Sequence, residues 1–111
     1  MLGKKFSISK NEFSRIYKKS RRINAWNFVI KFFPNKKDYS QFSIVIGKKI
    51  APHATDRNHI RRIIKKWIRD ELEHLPKNFY IIIIVKNNFS ARNDLEKERN
   101  DFLALLNRID R

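Results

Sequence analysis

Apolar residues recur along the chain first at helical and then at strand spacing. In "SKNEFSRIYKK" (9–19), Phe13, Ile16 and Tyr17 share one face at i, i+3, i+4 intervals, which predicts an amphipathic helix. Ser9 with Glu12 three positions on is a capping box, in which Ser9 takes the N3 amide and Glu12 reaches back, so the helix is placed at 10–19. "AWNFVIKFF" (25–33) reads as a strand stopped by Pro34 and the polar turn "NKKD". "QFSIVIG" (41–47) reads as a second strand, and the tight turn between the two predicts an antiparallel pair. "RRIN" (21–24) is a weak signal for a further short strand.

"KKIAPHATD" (48–56) is a basic loop with Pro52 as punctuation, and Thr55 or Asp56 is placed to cap the long helix after it. Asp56 also suits the positive end of the helix dipole, and that helix is expected to run to about Leu75, before Pro76. "FYIIIIVK" (79–86) is almost wholly apolar, as a strand buried on both faces should be. "NDLE" (93–96) resembles a second capping box, opening a helix whose apolar stripe is Leu95, Phe102, Leu105, Leu106 and Ile109. The order is α-β-β-α-β-α, or α-β-β-β-α-β-α with "RRIN" counted. That order predicts an α+β fold with helices laid on a small sheet.

Composition narrows the class. The 111 residues, 41% of them apolar with nine Phe, three Tyr and two Trp, suit one compact domain over 1–111. There is no cysteine, which excludes disulfides and thiolate metal sites. The longest apolar run, "FYIIIIV", is far short of the ~20 residues that span a bilayer. "MLGKKFSISK" lacks the apolar stretch of a signal peptide, so a cytoplasmic location is expected.

Charge changes the picture more. Lys and Arg total 26 against 11 Asp and Glu, a formal net charge of +15. Residues 1–69 carry 19 of those cations and only Glu12, Asp38 and Asp56 as acids, while residues 70–111 are close to neutral. A positive field confined to two-thirds of the chain points to a polyanionic partner. Its densest part is "RNHIRRIIKKW" (57–67). At 100° per residue, Ile60, Ile63, Ile64, Trp67 and Ile68 gather in one arc. Arg61, Arg62, Lys65, Lys66 and Arg69 gather opposite, with Asn58 among them and Arg57 at the border. A merely solvated face would interleave Glu with Lys, yet no acid lies between Asp56 and Asp70. The arginines at 57, 61 and 62 suit planar, bidentate contact with phosphate. Asn58 can read a base edge or a sugar hydroxyl, or help cap the helix.

Phe13 and Tyr17 have the spacing of core residues, but Arg15, Lys18, Lys19, Arg21 and Arg22 surround them in sequence. Aromatics amid cations hold single strands through stacking and backbone attraction, and Phe6 is a weaker candidate for the same cleft. His53, His59 and His74 are scattered with no carboxylate spacing, which argues against a zinc site or a histidine base. Asp70, Glu71 and Glu73 read as solvated charge rather than a Mg²⁺ site. Gly3 and Gly47 are the only glycines, too few for a phosphate-cradling loop, so the protein alone is expected to have no active site.

"RNHIRRIIKKWIRDEL" (57–72), preceded by "KKIAPHATD", resembles the Arg-Asn-Arg signature helix of the bacterial ribonuclease P protein component. "NEFSRIY", the strand ending in "GKK", the "FYIIIIV" strand and the closing amphipathic helix extend the likeness over nearly the whole chain. The resemblance implies a two-layer α-β sandwich, of the type seen in the second domain of a small-subunit ribosomal protein, with a left-handed β-α-β crossover. It implies a protein without catalytic residues, which binds a catalytic RNA and assists Mg²⁺-dependent removal of the 5′ leader from precursor tRNA. The metal would be bound mainly by the RNA. By the same resemblance, Arg57, Asn58, Arg61, Arg62 and Lys65, with Lys48 and Lys49, meet the catalytic RNA. Phe13, Tyr17 and Lys31 face the leader. His59 replaces the signature's third arginine, which implies a weaker or pH-dependent contact. Lys31 stands where the family often has an aromatic, which implies ionic contact with the leader. The alternative reading is a ribosomal or ribosome-assembly RNA-binding protein with no role in cleavage. No helix directly precedes the basic one, which disfavours a helix-turn-helix DNA binder, and a protein-only nuclease would need an acidic cluster.

Overall fold

A computed structural model describes residues 3–92 and 94–109. Three helices, α1 (Lys10–Lys19), α2 (Ala54–Asp70) and α3 (Glu96–Leu106), accompany four strands, β1 (Arg21–Asn24), β2 (Phe28–Pro34), β3 (Gln41–Ile46) and β4 (Phe79–Val85). The architecture is the expected small α+β fold, with the short strand from "RRIN" present. The strands lie in the order β1-β2-β4-β3, with β4 antiparallel to β2 and parallel to β3.

The expected β2–β3 antiparallel pair does not form, because β4 lies between them. Tyr80, Ile81, Ile82 and Ile83 are at most 9% exposed. So apolar a strand is best covered on both faces and both edges, which only an interior position provides. The turn after β2 is accordingly tied to the chain entering β4. The Asn35 amide donates to the Asn78 carbonyl at 2.8 Å, and the Ser40 hydroxyl donates to the Pro76 carbonyl at 2.7 Å. Asn78, at φ 72°, takes the left-handed backbone that asparagine tolerates better than most residues, and its side chain donates to the Lys37 carbonyl.

Alternation along the strands divides the core. Phe28, Ile30 and Phe32 of β2, Phe42 and Ile46 of β3, and Ile81, Ile83 and Val85 of β4 face α2 and α3. Ile60, Ile64, Trp67 and Ile68 of α2 and Phe102, Leu105 and Leu106 of α3 meet them. The opposite face is smaller. There Ile16 of α1 sits on Tyr80 and Ile82, with Phe13, Phe33, Val45 and Ile84 around it.

The Ser9 cap of α1 forms, with Ser9 Oγ accepting from the Glu12 amide at 3.3 Å; Glu12 reaches back to the Ser9 hydroxyl, at 3.1 Å, rather than to its backbone amide. Glu12 also accepts from the Tyr80 hydroxyl at 3.0 Å, which ties the helix start to the sheet. Helix α2 differs from expectation at both ends. Its N-cap is His53, which makes no side-chain cap bond, so Thr55 and Asp56 lie inside the first turn. It stops at Asp70 and passes into a 3-10 turn, Leu72–His74. Pro76 disfavours a helical Leu75, whose φ and ψ are −84° and 156°. At the other helix, Asn93 lies outside the described residues. The amide of Glu96 is met by the Asp94 carboxylate at 3.1 Å, and the N-cap Leu95 contributes no side-chain bond.

Candidate nucleic-acid interface

Helix α2 is held to the core by Ile60, Ile64, Trp67 and Ile68, which turns its other side outward. Asn58, His59, Arg62 and Lys66 are exposed there, while Arg57, Arg61 and Lys65 are half-buried along the flanks. The cations are not equivalent. Lys66 and Arg69 lie 3.2 and 3.6 Å from the Asp70 carboxylate. The hydrogen bond from Lys66 is the main cause holding the Asp70 carboxyl below its ordinary range. Among the described residues, no carboxylate pairs with Arg57, Arg61, Arg62 or Lys65. The unneutralised charge therefore lies between Arg57 and Lys65, before the paired Lys66 and Arg69.

Arg57 has a second task. Its guanidinium Nη1 donates to the carbonyls of Ala51 (2.8 Å) and Pro52 (2.9 Å), fastening the preceding loop to the first turn of α2. The loop carries Lys48 and Lys49, both exposed, so Arg57 helps fix their position beside the helix. Asn58 Oδ1 accepts from Arg61 Nη1 at 3.5 Å, a long contact that orients the arginine without neutralising it. Arg61 and Lys65 then border a groove against the β3 edge, with Phe6, Ile8, Phe42 and Ile44 as its apolar side.

A second surface lies across the sheet. Phe13 packs partly on the smaller core, and Tyr17 beside it is 38% exposed, their ring centroids 5.8 Å apart. Lys31 Nζ, from β2, stands 3.7 Å from the centre of the Tyr17 ring. Core and surface roles coexist here, since one residue anchors the helix and its neighbour presents a ring face with a cation on it. Register places Arg22 of β1 directly opposite Lys31. Sequence reading had Arg22 only as part of a basic neighbourhood, because "RRIN" was too short to fix a register. Phe6 does not join this cleft. Its 3-10 turn, Lys4–Phe6, crosses at the β3 edge, and the ring packs on the α2 side of the sheet, edge-to-face with Tyr39 at 5.7 Å.

The ribonuclease P family model matches residues 4–110. The chain belongs to the ribonuclease P protein family. The ribonuclease P protein component of Mesoplasma florum is 32% identical over 109 residues, covering 98% of each chain. The ribonuclease P protein of Thermotoga maritima superposes with a TM-score of 0.86 at 30% identity, covering 95% of this chain and 98% of the other. That of Staphylococcus aureus superposes at 0.79 with 28% identity, covering 92% and 93%. Proteins of the ribonuclease P family are components of an RNA-based endoribonuclease that acts in tRNA processing.

Two of the three acids at the end of α2 in this ribonuclease P family member face cations. Asp70 is held by Lys66 and Arg69, and Glu71 lies 3.9 Å from Arg99. Among the described residues, no three His, Asp or Glu side chains converge as metal ligands. Glu98, which the helical stripe did not mark, is buried at 5% exposure and paired with Arg92. A lone acid in a charged stretch carries no sequence signal that its partner will be a loop arginine. No helix among the described residues is long and apolar enough to cross a membrane.

Proposed function

We propose that the chain is the protein subunit of a cytoplasmic ribonuclease P holoenzyme, which grips the catalytic RNA and guides the 5′ leader of precursor tRNA. The observation that carries this reading is the face of α2 on which Arg61, Arg62 and Lys65 stand with no carboxylate paired to them among the described residues. Charge left uncompensated on a rigid helix costs folding stability and is repaid when phosphates replace the missing acids. Lys48 and Lys49 extend the contact, and Arg57 and Asn58 act largely by holding the loop and Arg61 in place.

The leader crosses the other face of the sheet, where Tyr17 offers a ring and Lys31 and Arg22 offer charge to its backbone. The protein contributes binding and orientation. Hydrolysis belongs to the RNA, and Mg²⁺ serves that RNA; near the end of α2, Asp70 and Glu71 already face cations.

Precursor tRNA should be cleaved efficiently at moderate Mg²⁺ only when protein and catalytic RNA are combined. Cleavage by the protein alone, or no gain when it is added to the RNA, overturns the reading. Tyr17→Ala is the cleaner probe of the leader cleft, because Phe13 is partly core. It should weaken holoenzyme binding of precursor tRNA about tenfold, in line with the loss of one stacked base, and leave mature tRNA unaffected. Equal loss for both substrates in a competition assay removes the leader contact.

A further inference from the structure

Trp26 is 60% exposed, the largest open apolar side chain among the described residues, and belongs to neither the α2 face nor the Tyr17 cleft. It stands in the loop between β1 and β2, and that loop is not loose. The Ala25 amide donates to the Phe28 carbonyl at 2.9 Å, and the Lys86 amide donates to the Asn27 carbonyl at 3.0 Å. The Lys86 ammonium reaches the Ala25 carbonyl at 3.2 Å, and the Asn87 side chain reaches the Trp26 carbonyl at 3.4 Å. Asn27, buried, donates from its side chain to Asp101 of α3 at 3.3 Å. Each carbonyl of Ala25, Trp26 and Asn27 is thus tied to the end of β4, and the indole is presented on a fixed base. An indole left open forgoes much of the stabilisation that covering its large apolar surface would provide.

The surroundings say what covers it. Trp26, Lys97, Ala104, Leu105 and Arg108 border a shallow recess against α3. Lys97 Nζ lies 5.7 Å from the indole centre, and Arg108 is exposed. Asp101, the one carboxylate at this recess among the described residues, is already shared between Asn27 and Lys97, the latter at 3.1 Å. Register extends the charge. Phe28, Val85 and Ile46 pair in one row across the sheet. The Trp26 loop, Lys86 and the turn holding Lys48 and Lys49 therefore leave the sheet at the same end. That rim leads into the first turn of α2.

From this we infer that Trp26 is a stacking platform for an unpaired nucleobase of the catalytic RNA, with Arg108 meeting the adjoining phosphate. The inference rests on the functional reading above and adds a contact site to it. The catalytic RNA is favoured over the leader because the recess is built with α3, whereas Tyr17 and Lys31 lie on the other face of the sheet. An exposed aromatic beside cations is the arrangement that holds single-stranded bases.

The test titrates the full chain with its cognate catalytic RNA, following tryptophan fluorescence and affinity for wild type, Trp26→Ala and Trp26→Phe. Wild-type emission should be quenched by the RNA through Trp26, since Trp67 is buried, and the quench should vanish in Trp26→Ala. Affinity should fall about tenfold in Trp26→Ala and much less in Trp26→Phe, as expected for loss of one stacked base. Unchanged affinity in Trp26→Ala overturns the inference, as does a loss seen only when the assembled holoenzyme binds precursor tRNA. It is also overturned if the substitution abolishes self-association by sedimentation while RNA affinity holds, which makes the patch a protein interface. If wild type itself does not bind the catalytic RNA, the functional reading fails and this site falls with it.

Discussion

Trp67→Ala should destabilise the protein by about 3–5 kcal/mol, the range for truncating a large core aromatic. Trp67 is 6% exposed, stacks on Phe89 with centroids 5.7 Å apart, and meets Phe102 of α3 at 5.6 Å. It therefore joins α2 to α3 and to the segment after β4. A domain of this size has roughly 5–15 kcal/mol in total, so the variant should sit near the edge of folding. In urea the midpoint should fall by roughly 2 M at the denaturant slopes usual for small proteins. Trp26→Ala is the internal comparison: the same side chain is removed from an exposed site, with an expected change within about 0.5 kcal/mol. If the two variants lose similar stability, the assignment of faces on α2 and around the sheet is wrong.

Local signals were legible in the sequence, and non-local ones were not. Ser9 and Glu12 are three residues apart, so the start of α1 could be read directly, and Ser9 Oγ does accept from the Glu12 amide. The arc of Ile60, Ile64, Trp67 and Ile68 likewise foretold which side of α2 is buried. Strand order depends on competition between distant segments. The short turn after β2 favours a hairpin, but β4 has more apolar surface to cover and takes the interior place. The same limit applies to charge. A helical wheel puts Lys66 and Arg69 with Arg61 and Arg62, yet Asp70 at the end of the helix closes on the first two only. Phe6 was grouped with Phe13 by composition, although the chain crosses the sheet edge between them. Arg57 read as one more phosphate ligand, and its bonds to Ala51 and Pro52 depend on a loop shape that no spacing rule supplies.

That uneven neutralisation makes the basic face testable residue by residue. Arg61→Ala with Arg62→Ala should weaken assembly with the catalytic RNA on the order of a hundredfold at physiological salt, if each arginine makes one charge-assisted phosphate contact. The log–log dependence of affinity on salt should become shallower by roughly one to two units, because two fewer phosphates are neutralised. Folding should be spared, since alanine is the better helix former and two like charges are removed from a crowded face. Lys66→Ala with Arg69→Ala removes the same formal charge from the same helix. Those two cations already serve Asp70, so the loss of affinity should be several-fold smaller. Arg57→Ala would be a poor substitute for either pair, because it frees the loop that carries Lys48 and Lys49 and mixes a structural effect into the binding measurement. Should the Lys66 and Arg69 pair prove the more damaging, the RNA would be centred on the far end of α2. Lys48 and Lys49 would then lie outside its footprint. Equal effects of the two pairs would mean that net charge alone attracts the RNA, with no defined docking around Arg61 and Arg62.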